Sequence, residues 1–273
     1  MISVYLQGGL GNQLFQIFTT IAYSLKHKIA FKLPSNKNDL TSPYGEIYKR
    51  PLYFDNFLKK LQPFLTSNFQ HQVLHREKAH FYTELPYCKK DILLFGYFQS
   101  YKYFDSYKKD ILRLTGVDKL LHKETNNNTI SIHFRIGDYV HNTSAHPILS
   151  IDYYVKSLQH IIEKTNKDNW NVSYYFEKKD LVQVTTNIRV LKDGFPNLNF
   201  KECPQNLSDW EEMLSMSCCT HNIIANSTFS WWGAYLNENN DKIVCYPSVW
   251  FGNELQNKDT CDLFLDNWIK IIV

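Results

Sequence analysis

The sequence predicts an α/β protein of two halves, each a parallel sheet flanked by helices. Three observations predict it. Short apolar strands alternate with segments of helical spacing, the order that right-handed βαβ crossovers require. A glycine loop, Gly8-Gly9-Leu10-Gly11, joins the first strand to the first helix. Polar clusters follow directly after apolar runs, at the strand ends where open α/β sheets bind ligands.

In chain order, Ile2 to Leu6 reads as a strand. From Asn12 onward Leu14, Ile17, Phe18, Ile21, Ala22 and Leu25 recur at helical spacing, with Asn12 as the expected N-cap. Ile29 to Leu33 returns as a strand and closes a βαβ unit. Pro34 to Lys90 is less regular, rich in aromatics and histidine, and is expected to form short helices and loops. Ile92 to Phe95 is a strand, and Tyr101 to Leu114 a helix ending before Gly116. The run Asn126-Asn127-Asn128 is polar and reads as structureless. It sets the expected division into an N-terminal domain, 1–125, and a C-terminal domain, 126–273. Beyond it the strands are Thr129 to Phe134, Val172 to Phe176, Asn222 to Ala225 and Ile243 to Tyr246. The helices are Asp152 to Thr165, Lys179 to Leu191, Ser208 to Cys218, Phe229 to Asn237 and a last one near Leu263 to Ile272. Two Rossmann-like halves facing a cleft account for this alternation most economically.

Composition narrows the function. The 273 residues are 44% hydrophobic and 21% charged, enough to bury a sizeable core. A net charge of +3 with no Lys/Arg block gives no sign of nucleic-acid binding. The six cysteines form no C-x-x-C pair and read as reduced thiols. The N-terminus shows no basic and apolar leader, and the longest apolar run falls well short of the roughly 20 residues that cross a bilayer. The expected location is therefore cytoplasmic, with no integral membrane segment. His71, His75 and His80 share a polar stretch without completing a metal motif, and neither a G-x-S-x-G elbow nor a Walker A loop is present.

Three segments carry candidate chemistry. In Gly8 to Gln13, Gly9 and Gly11 let backbone approach a ligand at a helix N-terminus, and Asn12 and Gln13 add neutral amides suited to sugar hydroxyls or a diphosphate. The missing third glycine means that this is no G-x-G-x-x-G fingerprint, and a plain βα turn is the alternative. In His133-Phe134-Arg135-Ile136-Gly137-Asp138-Tyr139, a His, an Arg and an Asp emerge together from a buried strand. The guanidinium of Arg135 can grip a phosphate with paired charge-assisted hydrogen bonds, or it can simply pair with Asp138. In Asn222 to Ala234, a strand leads through Asn226, Ser227 and Thr228 into a helix beginning at Phe229. Its amino end offers backbone N–H groups and roughly half a positive charge to a phosphate; Ser227 or Thr228 as plain helix caps is the alternative. Trp231 and Trp232 are read as packing residues. Glu211 and Glu212, on the preceding helix, are placed to accept hydrogen bonds from a ribose or guanine, or lie on a solvated face.

The three segments resemble motifs of the bacterial α-1,2-fucosyltransferases (glycosyltransferase family 11), within the wider group of α-1,2-, α-1,6- and protein O-fucosyltransferases. Gly8-Gly9-Leu10-Gly11-Asn12-Gln13-Leu14-Phe15-Gln16 is similar to their N-terminal motif. His133 to Tyr139 resembles H-x-R-R-G-D-Y, and Ala225 to Ala234 resembles A-N-S-S-F-S-W-W-G-A, in the family's order. The resemblance implies a GT-B fold, with an acceptor-side domain first and a GDP-sugar-binding domain second. It implies inverting transfer from GDP-L-fucose to the 2-hydroxyl of a galactose-containing glycan, without a metal, consistent with the absence of a D-x-D motif. By resemblance Arg135 binds the β-phosphate and His133 lies near the nucleotide. Ser227, Thr228 and Phe229 line the diphosphate pocket, and Asn12 faces phosphate and sugar.

The sequence departs from the family pattern in three places. Ile136 replaces the usual second Arg, Phe176-Glu177-Lys178-Lys179-Asp180 stands where F-S-D-D is usual, and Glu212 replaces Asp. The catalytic assignments are Arg135 for the leaving diphosphate, Asp138 as the base or the group that orients it, and Asn12. A fucosyltransferase of other linkage or acceptor and a silent GDP-sugar or glycan binder are the rival readings. Peripheral association with lipid-linked glycans is compatible with all of them. The irregular stretch from Pro34 to Lys90 would face the acceptor.

Overall fold

The computed structural model describes residues 1–35, 40–41, 47–48, 51–121 and 126–273. The chain divides into two compact units. One holds Met1–Leu120 with Lys258–Leu265, and the other holds Leu121–Asn257 with Asp266–Val273. The sequence reading assigned Lys258–Leu265 to the second domain; the chain instead sends this segment back to the first.

The first unit contains β1 (Ile2–Val4), α1 (Leu10–His27), β2 (Val73–Arg76), β3 (Ile92–Phe95) and α2 (Lys108–Thr115). Its parallel sheet has the order β1-β3-β2. Every residue of α1 from Leu10 to Ser24 is buried except Asn12, so the helix forms the centre of this unit. The expected strand from Ile29 to Leu33 is reduced to a bridge. Ile2 N–H donates to Ala30 O at 3.0 Å and Lys32 N–H to Ile2 O at 2.9 Å, after which Leu33–Pro34 pairs with Leu65–Thr66. The expected helix from Tyr101 is broken into two 3₁₀ turns before α2. The cause is Phe104, which leaves helical geometry at φ −138° and buries its ring against Phe15 and Phe18, at 5.8 and 5.6 Å. Edge strand β2 escaped the sequence reading because its Val-Leu-His-Arg alternates between half-buried and exposed, without an apolar run. The part of the Pro34–Lys90 segment at 36–39, 42–46 and 49–50 lies outside the described residues.

The second unit is the more regular. Its strands are β4 (Asn126–His133), β5 (Asn171–Tyr175), β6 (Asn199–Glu202), β7 (Cys219–Ile223), β8 (Val244–Pro247) and β9 (Ile269–Ile271). The helices between them are α3 (Ile151–Thr165), α4 (Leu181–Gly194), α5 (Asp209–Ser217) and α6 (Thr228–Leu236). All six strands are parallel, in the order β6-β5-β4-β7-β8-β9. The chain starts at the middle of the sheet, works outward through β5 and β6, crosses back beside β4 and works outward again. Right-handed crossovers that reverse direction in this way place α3 and α4 on one face and α5 and α6 on the other, and the helices pack as those two pairs. The core forms around Ile130, Ile132, Leu158, Val172 and Ile223, all at most 1% exposed.

Two expectations are corrected here. Asn126–Asn128 is not structureless: it begins β4, with Asn128 at φ 69° and a register shift opposite Cys219 and His221. The last expected helix, near Leu263 to Ile272, is a turn followed by β9. Leu263, Phe264, Trp268 and Ile271 fit helical spacing, but the otherwise open edge of β8 takes Ile269–Ile271 as its parallel partner. Among the described residues no helix is long and apolar enough to cross a membrane. All six cysteines are free thiols.

Candidate functional site

β4 and β7 are neighbours whose connections leave in opposite directions, so their carboxyl ends frame the topological switch point, where such sheets bind ligands. Ile132 pairs with Ile223, which brings the chain after His133 beside the chain after Ile224. The second and third sequence motifs therefore meet. The Tyr139 hydroxyl donates to the Asn226 carbonyl at 2.9 Å, and the His133 and Phe229 rings lie 5.4 Å apart. Three buried polar atoms here have no hydrogen-bond partner among the described residues: His133 Nδ1, Arg135 Nε and Asn226 Oδ1. Unpaired buried polar groups are costly and rare, and these three come from the two motifs that the fold brings together.

Arg135 is 18% exposed and is held from two sides. One terminal nitrogen donates to Asp138 Oδ1 and the other to Glu177 Oε1, while the guanidinium carbon sits 5.0 Å from the centre of the Tyr139 ring. The pairing with Asp138 that the sequence left open is thus realised, and it makes Asp138 a group that orients the guanidinium. Gly137 bends the chain at φ 35°, and a β-carbon there would lie 2.8 Å from Glu177 Oε1. Its N–H donates to the buried carboxylate of Asp180 at 2.8 Å. Glu177 and Asp180 were not singled out as site residues, and sequence showed them only as a departure from a familiar motif. The usable signal was position: they follow β5 directly, at the same sheet edge.

The turn after β7 is built mostly by its own side chains. Ser227 Oγ accepts from Phe229 N–H at 3.3 Å, so Ser227 caps α6, and Ser230 Oγ accepts from Ala225 N–H at 3.2 Å. Asn226 is buried, and its amide nitrogen donates to the carbonyls of Pro147 and Trp250, at 2.9 and 3.3 Å. Its amide nitrogen thus ties two loops together. Thr228 and Phe229 are partly exposed at the helix amino end. Trp231 and Trp232 are fully buried, with Trp231 stacked on Tyr235 at 4.8 Å.

Burial sets the protonation of the neighbouring groups. It pushes His133 down to about 3, assisted by the Arg135 charge, so the imidazole is neutral. The two glutamates of α5 diverge. Glu211 completes a capping box, accepting from Ser208 N–H at 2.8 Å and Ser208 Oγ at 2.6 Å. Glu212 is half-buried, and burial, with Asp209 adding to it and Lys178 opposing, raises it to about 7. Phe229 packs on the cluster of Tyr175, Cys203 and Met216 beside it.

The first motif lies in the other unit. Gly9, not Asn12, is the N-cap of α1, and Asn12 stands in the first turn. Gly8 takes φ 78°, and a β-carbon there would meet Asn12 Nδ2 at 2.4 Å. Gln13 is buried and donates to the carbonyls of Gly8 and Pro51, both at 3.0 Å, so it pins the loop. Asn12 Oδ1 accepts from Gln99 Nε2 at 2.9 Å. Gly11 is buried within α1. At this sheet's carboxyl edge the sequence reading missed Glu77, which accepts from Tyr97 and Phe98 N–H, both at 2.8 Å, and is raised by burial against the pull of those N–H groups and of Lys258. His80 is pushed down to about 4 by burial, then by the Lys258 charge. Among the described residues no group of three or more His, Cys, Asp or Glu is arranged to hold a metal ion.

A parallel sheet in this strand order, with a guanidinium and a helix amino end at its switch point, has the layout of α/β proteins that bind phosphorylated ligands. The model of glycosyl transferase family 11 matches residues 1–272, and the chain belongs to that family. It is 30% identical to the O-antigen biosynthesis glycosyltransferase WbnK of Escherichia coli, over 97% of this chain and 99% of that protein. It is 26% identical to an alpha-1,2-colitosyltransferase of Escherichia coli, over 97% of both chains. The protein is a glycosyltransferase, a class that moves a sugar from a nucleotide-sugar donor to a glycan acceptor and releases the nucleotide.

Proposed function

We propose that the protein transfers L-fucose from GDP-L-fucose, with inversion and without a metal, to the 2-hydroxyl of a galactose-containing glycan of O-antigen type. Its two units are the halves of a GT-B enzyme. The observation that carries the reading is the convergence of His133, Arg135 and Asn226, each with an unpaired buried atom, beside the amino end of α6. Family membership and the 1,2 linkage in one relative's name support it.

Departure of GDP requires stabilisation of the charge that builds on its β-phosphate. Arg135 supplies a fixed cation, and the amino end of α6, where Thr228 and Phe229 are partly exposed, supplies the positive end of the helix dipole. These donors are preorganised by Asp138, Tyr139 and the Ser227 cap, so little reorganisation accompanies the reaction. Neutral His133 adds a hydrogen-bonding group without a second charge, and Glu212 accepts from the nucleotide. Asn12 of the first unit, whose Oδ1 accepts from Gln99, is assigned to phosphate and sugar by the family resemblance.

The test is an acceptor panel. Purified protein, with EDTA present, is mixed with GDP-L-fucose and lactose or other galactosides, and products are analysed for linkage. GDP release with a fucosyl-α-1,2-galactose product is expected. GDP-L-fucose binding without release overturns the reading in favour of a sensor, and another linkage, or transfer only from a different GDP-sugar, overturns its specificity.

A further inference from the structure

We infer that Glu177 and Asp180, in the short segment after β5, are positioning residues that set Arg135 for its work on the leaving diphosphate; this rests on the reading that Arg135 contacts that diphosphate. Five contacts converge. Glu177 Oε1 accepts from one arm of the guanidinium while Asp138 accepts from the other, which fixes the plane of the group from both sides. Asp180 is buried and accepts from the Gly137 N–H at 2.8 Å, which holds the loop carrying Asp138. A β-carbon at Gly137 would lie 2.8 Å from Glu177 Oε1, so the loop and the segment lie against each other. Lys179 pairs with the other Glu177 oxygen at 2.9 Å and restrains that carboxylate in turn.

The chemistry follows from charge. A guanidinium fixed in one plane meets a diphosphate with parallel hydrogen bonds, and its benefit grows as negative charge develops on the leaving oxygen. Glu177 touches neither sugar nor acceptor in this scheme; it acts through Arg135. Loss of its hold on the guanidinium therefore slows turnover and weakens binding of GDP, whose diphosphate carries the full charge, more than it alters KM for the intact donor.

The experiment compares Glu177→Gln, Glu177→Asp, Asp180→Asn and Arg135→Ala by steady-state kinetics with the donor and acceptor pair active in the panel, by calorimetry with GDP, and by thermal melting. For Glu177→Gln, kcat is expected to fall on the order of 10-fold to 100-fold, the scale of a small misplacement of a catalytic group. GDP affinity is expected to fall in step, KM for the donor to move less than threefold or so by the same reasoning, and Tm to hold. Glu177→Asp, which keeps the charge, recovers most of the rate, and Asp180→Asn follows Glu177→Gln with a smaller loss. The inference is overturned if Glu177→Gln keeps kcat and GDP affinity while Arg135→Ala is inactive, or if its only change is a lower Tm. Normal turnover of Arg135→Ala removes the underlying reading, and the positioning role with it.

Discussion

The two sheet edges of this protein hold polar groups in different ways. In the second unit, six parallel strands reverse direction at β4 and β7, and the residues just past those strands gather without long excursions of the chain. In the first unit, three strands bring Glu77, Gln99 and Asn12 to a common edge, but Lys258 arrives from a segment more than half the chain away. The charges also have different tasks. Arg135 is a cation held between two carboxylates, whereas Glu77 is a carboxylate spent on backbone. It satisfies the N–H groups of Tyr97 and Phe98, the latter held at φ 53°, a conformation that a bulky side chain seldom adopts. The second edge sets its carboxylates on a cation and on one turn, through Asp180 and the Gly137 N–H; the first sets Glu77 on backbone alone.

The largest test of this contrast is Arg135→Ala. Turnover should fall by about 10²–10³, the usual cost of removing one preorganised donor to a leaving charge, with circular dichroism and Tm little changed. Near-normal turnover would strip the second edge of its assigned role. Next, Asp138→Asn should lower kcat and GDP affinity together by about tenfold, as for one charge-assisted hydrogen bond worth roughly 1.5 kcal/mol. If turnover drops while calorimetry shows GDP binding intact, Asp138 is the base and not the orienting group.

Glu77→Ala should behave in the opposite way. It leaves two backbone N–H groups without their acceptor and should cost about 1–3 kcal/mol of stability, read as a lower midpoint in urea. An unchanged midpoint would mean that the first edge keeps its carboxylate for something other than the turn. The smallest effect belongs to Glu212. With its ionisation raised to about 7, the group is charged above that pH and neutral below it. A carboxylate that accepts from the nucleotide then makes GDP bind a few-fold more tightly at pH 8 than at pH 6, and Glu212→Gln should flatten the profile. Stability runs the other way. A carboxyl raised from 4.5 in the unfolded chain contributes stability below pH 4.5 and loses it as pH rises through 7. The wild type should therefore lose stability relative to Glu212→Gln across that window.

Legibility followed the same division. In the second unit β4, β5, β7 and β8 were readable from short apolar runs and the helices from amphipathic stretches, whereas β6 was missed because only Phe200 of its Asn-Phe-Lys-Glu is buried. The motif from His133 to Tyr139 could be placed at a strand end from that pattern alone. The failures there have local causes: Asn126–Asn128 is polar yet paired, and the last strand imitates helical spacing over too few residues to tell the two apart. In the first unit β2 carries half-exposed polar residues, and the helix expected at Tyr101 is interrupted to bury Phe104. Glu77 and His80 belong to no motif, and only coordinates reveal that Lys258 comes to lie beside them. Glu177 and Asp180 were visible as letters but not as partners, because a hydrogen bond between segments 43 residues apart leaves no trace in local spacing.

The excursion of Lys258–Leu265 bears on how the molecule can be cut. Asp262 accepts from Tyr82 N–H at 3.1 Å and also pairs with Lys102, so eight residues near the carboxyl terminus complete the amino-terminal unit, while the residues just after them supply the outermost strand of the other. A fragment ending at Leu120 thus lacks part of its own fabric, and a fragment ending at Asn257 is deficient in both units. Dissection of the enzyme into separately expressed halves should therefore succeed only when the returning peptide is supplied to the first and the terminal strand is kept on the second.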